Sequence, residues 1–146
     1  MYRDKGLLDE AVREFQRALF IDPGYATAHN NLGVAFLGQG RLDEAGAEFR
    51  TVLAREPKNV DATVNLALVE KAEGRLERAK ETLLRALGTA PRNAAAHYNL
   101  ASLYEQSGET ARAIEHYRAF LANAGSHHAS RAADVRARLE ALAGGT

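Results

Sequence analysis

Pro23, Pro57 and Pro91 are the only prolines in a chain of 146 residues, and they stand at one constant spacing, each 34 on from the last. Four glycines keep the same interval, at positions 6, 40, 74 and 108. Each glycine opens a similar hexamer, most plainly Gly40-Arg-Leu-Asp-Glu-Ala45 and Gly74-Arg-Leu-Glu-Arg-Ala79. Other columns follow in the same register: Phe15, Phe49, Leu83 and Tyr117, and the pairs Leu32-Gly33, Leu66-Ala67 and Leu100-Ala101. A chain with a fixed period of this length builds a stack of like units, each burying its apolar face against a neighbour, rather than one layered core.

Within each unit the apolar spacing is helical. His29, Leu32, Gly33 and Phe36 follow the i, i+3, i+4, i+7 pattern of one helix face, and Leu42, Ala45, Phe49, Val52 and Leu53 form a second stripe. Gly40 between them suits a left-handed helix end, where a side chain would be strained. Asp43 and Glu44 then fall in the first turn of the next helix, on the positive end of its dipole. Pro57 closes that helix, and Asn59 is placed to cap the following one. Each repeat is therefore predicted to be an antiparallel helix pair, A then B. The fold class is all-α, a stack of antiparallel helix pairs.

The predicted organisation is a single repeat domain over residues 1–146. It comprises a partial repeat at 1–25 that is mainly a helix B, repeats at 26–59, 60–93 and 94–126, and a capping helix and tail at 127–146. Residues 6–21 match helix B, and Leu8, Val12, Phe15 and Leu19 would lie at an open edge. Ala132, Val135, Leu139 and Leu142 make the apolar stripe of the closing helix. Gly144, Gly145 and Thr146 are expected to fray.

These columns resemble the tetratricopeptide repeat (TPR) family, whose helix–turn–helix unit has the same length. The matching sets are His29-Leu32-Gly33-Phe36-Ala45-Phe49-Val52-Pro57 and Thr63-Leu66-Ala67-Glu70-Ala79-Leu83-Ala86-Pro91. The third is His97-Leu100-Ala101-Tyr104-Ala113-Tyr117-Phe120, with Gly125 in place of proline. The family's tryptophan column holds His29, Thr63 and His97, which is similar to repeats of O-linked N-acetylglucosamine transferase and of bacterial TPR proteins. Glu70 stands where the family usually has an aromatic residue. The resemblance implies a right-handed α-solenoid of antiparallel helix pairs with a C-terminal capping helix, one that binds protein partners.

Composition narrows the function further. Lys plus Arg and Asp plus Glu each number 19, a balance that argues against nucleic acid and against an electrostatic membrane anchor. No cysteine is present, which removes disulfide and thiolate chemistry. No apolar run approaches the ~20 residues of a membrane span, and the polar start is unlike a signal peptide, so a cytoplasmic location is favoured. There is no phosphate-binding glycine loop and no nucleophile–base signature, and no enzymatic activity, cofactor or metal is expected. His127 and His128 lack a third clustered ligand, while His29 and His97 lie on core stripes as packed histidines. His116 is expected to be exposed, and Glu70 to be partly buried, either snorkelling to solvent or pairing with a nearby cation.

The A segments carry five charged residues and the B segments seventeen, so the A helices are expected to line the concave face. Opposite the core stripe of the first A helix stand Thr27, Asn30, Asn31, Val34 and Leu37. Their counterparts are Asp61, Val64, Asn65, Leu68 and Lys71 in the second, then Ala95, Tyr98, Asn99, Ser102 and Glu105 in the third. A purely solvated face has no need of Val34, Leu37, Val64, Leu68 and Tyr98, so these positions are the candidate peptide-binding groove. Asn31, Asn65 and Asn99 share one column, and each amide can pair with both the N–H and the C=O of an extended peptide. The resemblance implies the same use, since the transferase grips peptide backbone with an asparagine ladder. The chaperone-tail form of the fold needs Lys and Arg where Asn30, Val34, Asp61 and Ala95 stand, and is not expected.

The expected function is a scaffold that binds an extended peptide or helix of a partner with affinity of about −8 kcal/mol, or micromolar. The alternatives are a self-associating assembly module, joined through the incomplete first repeat, and the recognition arm of a larger enzyme such as a glycosyltransferase.

Overall fold

The computed structural model describes the backbone of residues 2–21 and 26–144, with side chains described for 6–17 and 26–144. The expectations for Pro23, for the side chains of Tyr2 and Leu19, and for Gly145 and Thr146 lie outside the described residues. The elements in order are α1 (Tyr2–Ile21), α2 (Ala26–Gly38), α3 (Leu42–Arg55), α4 (Val60–Ala72), α5 (Leu76–Thr89), α6 (Ala94–Gln106), α7 (Thr110–Asn123), a 3-10 turn (Ser126–His128) and α8 (Ala129–Gly144). No strand occurs among the described residues. The A helices α2, α4 and α6 have 13 residues each. The B helices α3, α5 and α7 have 14 each. From α2 to α7 the period of the sequence is thus kept to the residue at every helix start.

The turns within the pairs explain that regularity. Gly40, Gly74 and Gly108 have φ of 77°, 81° and 77°. A side chain at such a residue would crowd the following carbonyl, at a cost of roughly 1–2 kcal/mol. The reversed residue lets the next N–H groups fold back on the helix just ended. Arg41 N–H donates to the Phe36 carbonyl at 2.9 Å and Gly40 N–H to that of Leu37 at 3.0 Å. The same two bonds recur from Arg75 and Gly74, and from Glu109 and Gly108. Between the pairs, the Asn59 side chain accepts from Ala62 N–H and that of Asn93 from Ala96 N–H, both at 2.9 Å. Each such cap stabilises the following helix by about 1 kcal/mol.

At Gly6 the same sequence column behaves differently. The register predicts a helix over 6–21, yet α1 begins at Tyr2 and passes straight through Gly6. Gly6 takes ordinary helical angles there, outside the left-handed region that Gly40, Gly74 and Gly108 occupy.

The chain forms two compact units, Met1–Ala79 and Lys80–Thr146, with the boundary inside α5. In the first unit Val12 of α1, Leu32 and Phe36 of α2, Ala45 and Phe49 of α3, and Leu66 and Val69 of α4 make one buried cluster. Full burial of an aliphatic or aromatic side chain of this size contributes roughly 1.5–3 kcal/mol. Gly33 is required by the close approach of α2 to α3, because a Cβ there would lie 2.5 Å from a ring carbon of Phe49. Leu8 of α1 packs over Gly38, its methyls 3.1 Å from where a Cβ would stand. The α1 residues Leu8, Val12 and Phe15 thus turn into the unit and are half-buried or buried. In the second unit Leu83, Leu100, Leu103, Tyr117, Phe120 and Val135 are buried. Ala132 and Val135, from the predicted stripe of the closing helix, seat α8 against α7.

Candidate functional site

Helical geometry, about 100° per residue, sorts the candidate face into a centre and a flank. On α2 the buried arc holds Ala28, Leu32, Gly33, Ala35 and Phe36. Thr27, Asn31 and Val34 lie farthest from it and are exposed, Val34 at 48%. Asn30 and Leu37 stand at the edge of the arc and are half-buried. The flanking column explains Val64, which reaches the core of α4 with 6% exposure, whereas Asp61 remains exposed and Asn65, Leu68 and Lys71 are half-buried. On α6, Ala95, Tyr98, Ser102 and Glu105 are half-buried, and Asn99 is buried at 9% exposure.

The three asparagines of the ladder column therefore have different surroundings. Asn31 and Asn65 belong to the first unit and Asn99 to the second. The Asn99 amide donates to the Ala95 carbonyl of its own helix at 2.9 Å, leaving its oxygen as the group outside that bond. Asn30 presents the opposite situation: its Oδ1 is shielded from solvent and accepts no hydrogen bond. A buried acceptor left unpaired costs about 1–3 kcal/mol, which a donor from a ligand would recover.

In the second unit the A face of α6 is partly covered by α8. Tyr98 packs edge-on against Tyr117 and tilted against Phe120, with centroids 6.2 and 5.5 Å away. The Arg131 guanidinium lies 4.3 Å above the Tyr98 ring. Arg138 pairs with Glu105 at 3.1 Å, and the Tyr117 hydroxyl donates to the same carboxylate at 2.8 Å. Burial, with that bond to Glu105, pushes the Tyr117 pKa up to about 12. The Arg138 guanidinium is held above its ordinary range by its bond to Tyr117 and the charge of Glu105. Beside the Arg138–Glu105 bridge a cleft of about 470 Å³ remains, walled by Tyr98, Ser102 and Tyr117 and by α8 residues from Asp134 to Ala141, Arg138 among them. Sequence reasoning missed Arg131, Asp134 and Arg138; their i, i+3, i+7 spacing, which aligns them along one side of α8, is the signal that could have found them.

The ionisable groups of the core stripes are structural. His29 lies 2.6 Å from the Glu48 carboxylate. The His97 ring donates through Nε2 to the Pro91 carbonyl at 2.8 Å, so a neutral ring offers Nδ1 as an acceptor to Nδ1–H of His116 at 3.0 Å. His116, expected on the surface, is half-buried instead, stacked on His97 and on Tyr104. Its helix position next to the core arc carries it under the neighbouring rings. Burial, and then the charge of His97, holds its pKa below the ordinary 6.5. Glu70 is buried and pairs with Arg78 at 3.1 Å, the second of the two alternatives its column left open. Lys80 departs from the solvated reading of the B helices: it is 6% exposed, with its ammonium 3.2 Å from both Ser107 and Glu109. No group of three metal-ligating side chains occurs among the described residues. No helix among them is long and apolar enough to cross a membrane.

Antiparallel helix pairs in strict repeat, with left-handed glycine turns and no strand among the described residues, define an α-solenoid of the helix-repeat class. Family models described as TPR repeat and tetratricopeptide repeat match residues 1–40 and residues 36–92 and 70–139, respectively. The chain belongs to the tetratricopeptide repeat family. No curated protein matches its sequence. Among solved structures, TTC0263, a thermophilic TPR protein of Thermus thermophilus, superposes with a TM-score of 0.78 at 26% identity, covering 94% of this chain and 73% of that one. MamA gives 0.69 at 24% identity, over 84% and 71% of the two chains. The type III secretion translocator chaperone SycD of Yersinia enterocolitica gives 0.75 at 15% identity, over 80% and 90%. MamA and SycD share the fold.

Proposed function

We propose that the chain is a non-enzymatic protein-interaction module that takes an extended peptide or a helix of a partner on the A-helix faces directed away from the core stripes. The observation that carries this reading is on α2. Asn31 and Val34 stand exposed side by side at the centre of that face, and the Asn30 oxygen at its flank is buried without a donor. An exposed apolar residue flanked by amides offers a ligand both apolar contact and backbone pairing. Each hydrogen bond contributes about 0.5–1.5 kcal/mol net, so Val34, Leu37 and Leu68 must supply much of the affinity by apolar burial. Family membership supports the scaffold role in general terms. Attachment to further domains in a longer polypeptide would leave this role unchanged.

The test is a peptide-display selection on the wild-type protein and on Asn31→Ala/Val34→Glu. Both substituted residues are exposed, so the variant keeps its circular dichroism spectrum. Wild type is expected to enrich a motif that the variant binds at least about tenfold more weakly, a difference of about 1.4 kcal/mol. Equal enrichment by both proteins, or none by wild type, would sink the reading. Self-association remains the second reading, with Leu7 of α1 at 59% exposure as its available apolar contact. Sedimentation velocity over a hundredfold concentration range decides it, a constant monomer mass excluding it.

A further inference from the structure

The two arginine bridges of α8 have a common geometry. Arg131 meets Tyr98 and Arg138 meets Glu105, so the two bridges have the same offset along the chain, one short of the repeat period. Tyr98 and Glu105 are two turns apart on α6, about 10.5 Å along its axis, and the arginines are spaced likewise on α8. A constant offset at both ends requires α8 to run beside α6 in the same direction, as a following A helix would. Ala132 and Leu139 therefore occupy the repeat positions of Tyr98 and Glu105, while arginine side chains make the contacts.

This seating is shallow. Only Ala132 and Val135 of the sixteen α8 residues are buried. Arg138 is 59% exposed in its side chain. The cleft is lined by Tyr98 and Ser102 of α6 and by Asp134, Val135 and Arg138 of α8, so this part of the α6 face is spanned and not filled. The groups that α8 spans, Tyr98, Ser102 and Glu105, share repeat columns with Asn30, Val34 and Leu37 of α2.

We propose that α8 is a displaceable strap, an intramolecular competitor for the partner segment on the A face of α6. This rests on the peptide-binding reading above and adds its regulation. The closed strap occupies Tyr98 through Arg131 and Glu105 through Arg138; the open strap returns both groups to a ligand. A partner carrying a cationic side chain takes over Glu105 and the Tyr98 ring, because those are the contacts α8 makes with guanidinium groups. Tyr117 keeps its hydrogen bond to Glu105 in either state, so the carboxylate stays positioned when the strap leaves.

The test uses the full chain and Arg131→Ala/Arg138→Ala, two exposed residues whose loss leaves the buried Ala132 and Val135 in place. Amide hydrogen exchange is followed across 129–144 and across α6 and α7. Losing one exposed cation–π contact and one exposed ion pair is expected to speed α8 exchange on the order of five- to tenfold. Exchange in α6 and α7 should stay within about twofold. If α8 exchanges together with α6 and α7 in wild type, the strap is part of one cooperative block and the proposal is overturned. A random twelve-residue peptide library is then selected on both proteins. Stronger enrichment on the arginine variant supports competition, and equal enrichment overturns it while leaving the peptide-binding reading intact. Enrichment on neither protein defeats that reading itself, and the competitor role with it.

Discussion

A methyl group at position 33 would meet the Phe49 ring at 2.5 Å, far inside normal contact. Gly33→Ala is therefore expected to destabilise the chain by about 1–3 kcal/mol through overpacking of α2 on α3. The repeat contains its own remedy, since the same two columns hold Ala67 and Leu83 in the next unit of sequence. Phe49→Leu added to Gly33→Ala should recover about 1 kcal/mol or more of that loss, a coupling that urea midpoints of the four proteins in the cycle would measure. Additive losses would show that the clash is not the cause. Residues whose role is local were legible from sequence in this way: Gly40, Asn59 and the core stripes act within a turn or two of their own position. Lys80 was not, because its partners Ser107 and Glu109 are 27 and 29 residues away. Tyr98 and Glu105 could be placed on a face, yet what covers that face is a helix whose arginines come almost a full repeat later.

The helices carry a second kind of information, in which neighbouring elements change the chemistry of a side chain. The α6–α7 pair buries His116 against His97 and Tyr104, and its pKa falls below 6.5 as a result. The unfolded chain takes up its proton near pH 6.5 and the folded chain only at lower pH. Between those values the unfolded state binds more protons, so stability rises with pH and is lost as pH falls through that window. The melting temperature should therefore drop as pH is lowered from about 7.5 to about 5.5, and His116→Gln should flatten part of that drop. An identical pH response in the variant would remove His116 as the source. At this scale the sequence predicted every helix pair and its turn, but not the run of α1 through Gly6. The same glycine column is a left-handed turn at Gly40, Gly74 and Gly108 and a helical residue at Gly6, a difference that periodicity alone does not report.

The molecule as a whole consists of two compact units, within which α1 to α4 and α6 to α8 pack on near neighbours in the chain. Stability in such a chain is a sum of local terms and nearest-neighbour interfaces, with no single core sharing every loss. Gly33→Ala should thus lower amide protection in α2 and α3 by about tenfold or more while changing α6 and α7 by less than about twofold. Equal losses across all four helices would indicate one cooperative block. The fold class was available from the constant spacing of the prolines and glycines because that spacing is imposed by packing. The candidate binding face was legible only as a set of columns, since burial at Val64, Asn99 and Tyr98 depends on what each repeat happens to adjoin.

The two asparagine caps also bear on how such a chain can change its length. Asn59 and Asn93 stand one period apart and bind the third amide beyond them with the same 2.9 Å geometry. Removing residues 60–93 would join Asn59 to Ala94, and Ala96 would again present its N–H to a capping asparagine. Duplicating the same block would add one further cap, with Asn93 of the first copy facing Ala62 of the second, and leave both existing caps unaltered. A genetic exchange between misaligned copies of this gene thus produces a junction that already has its hydrogen bonds. An exchange of that kind changes chain length by one whole repeat.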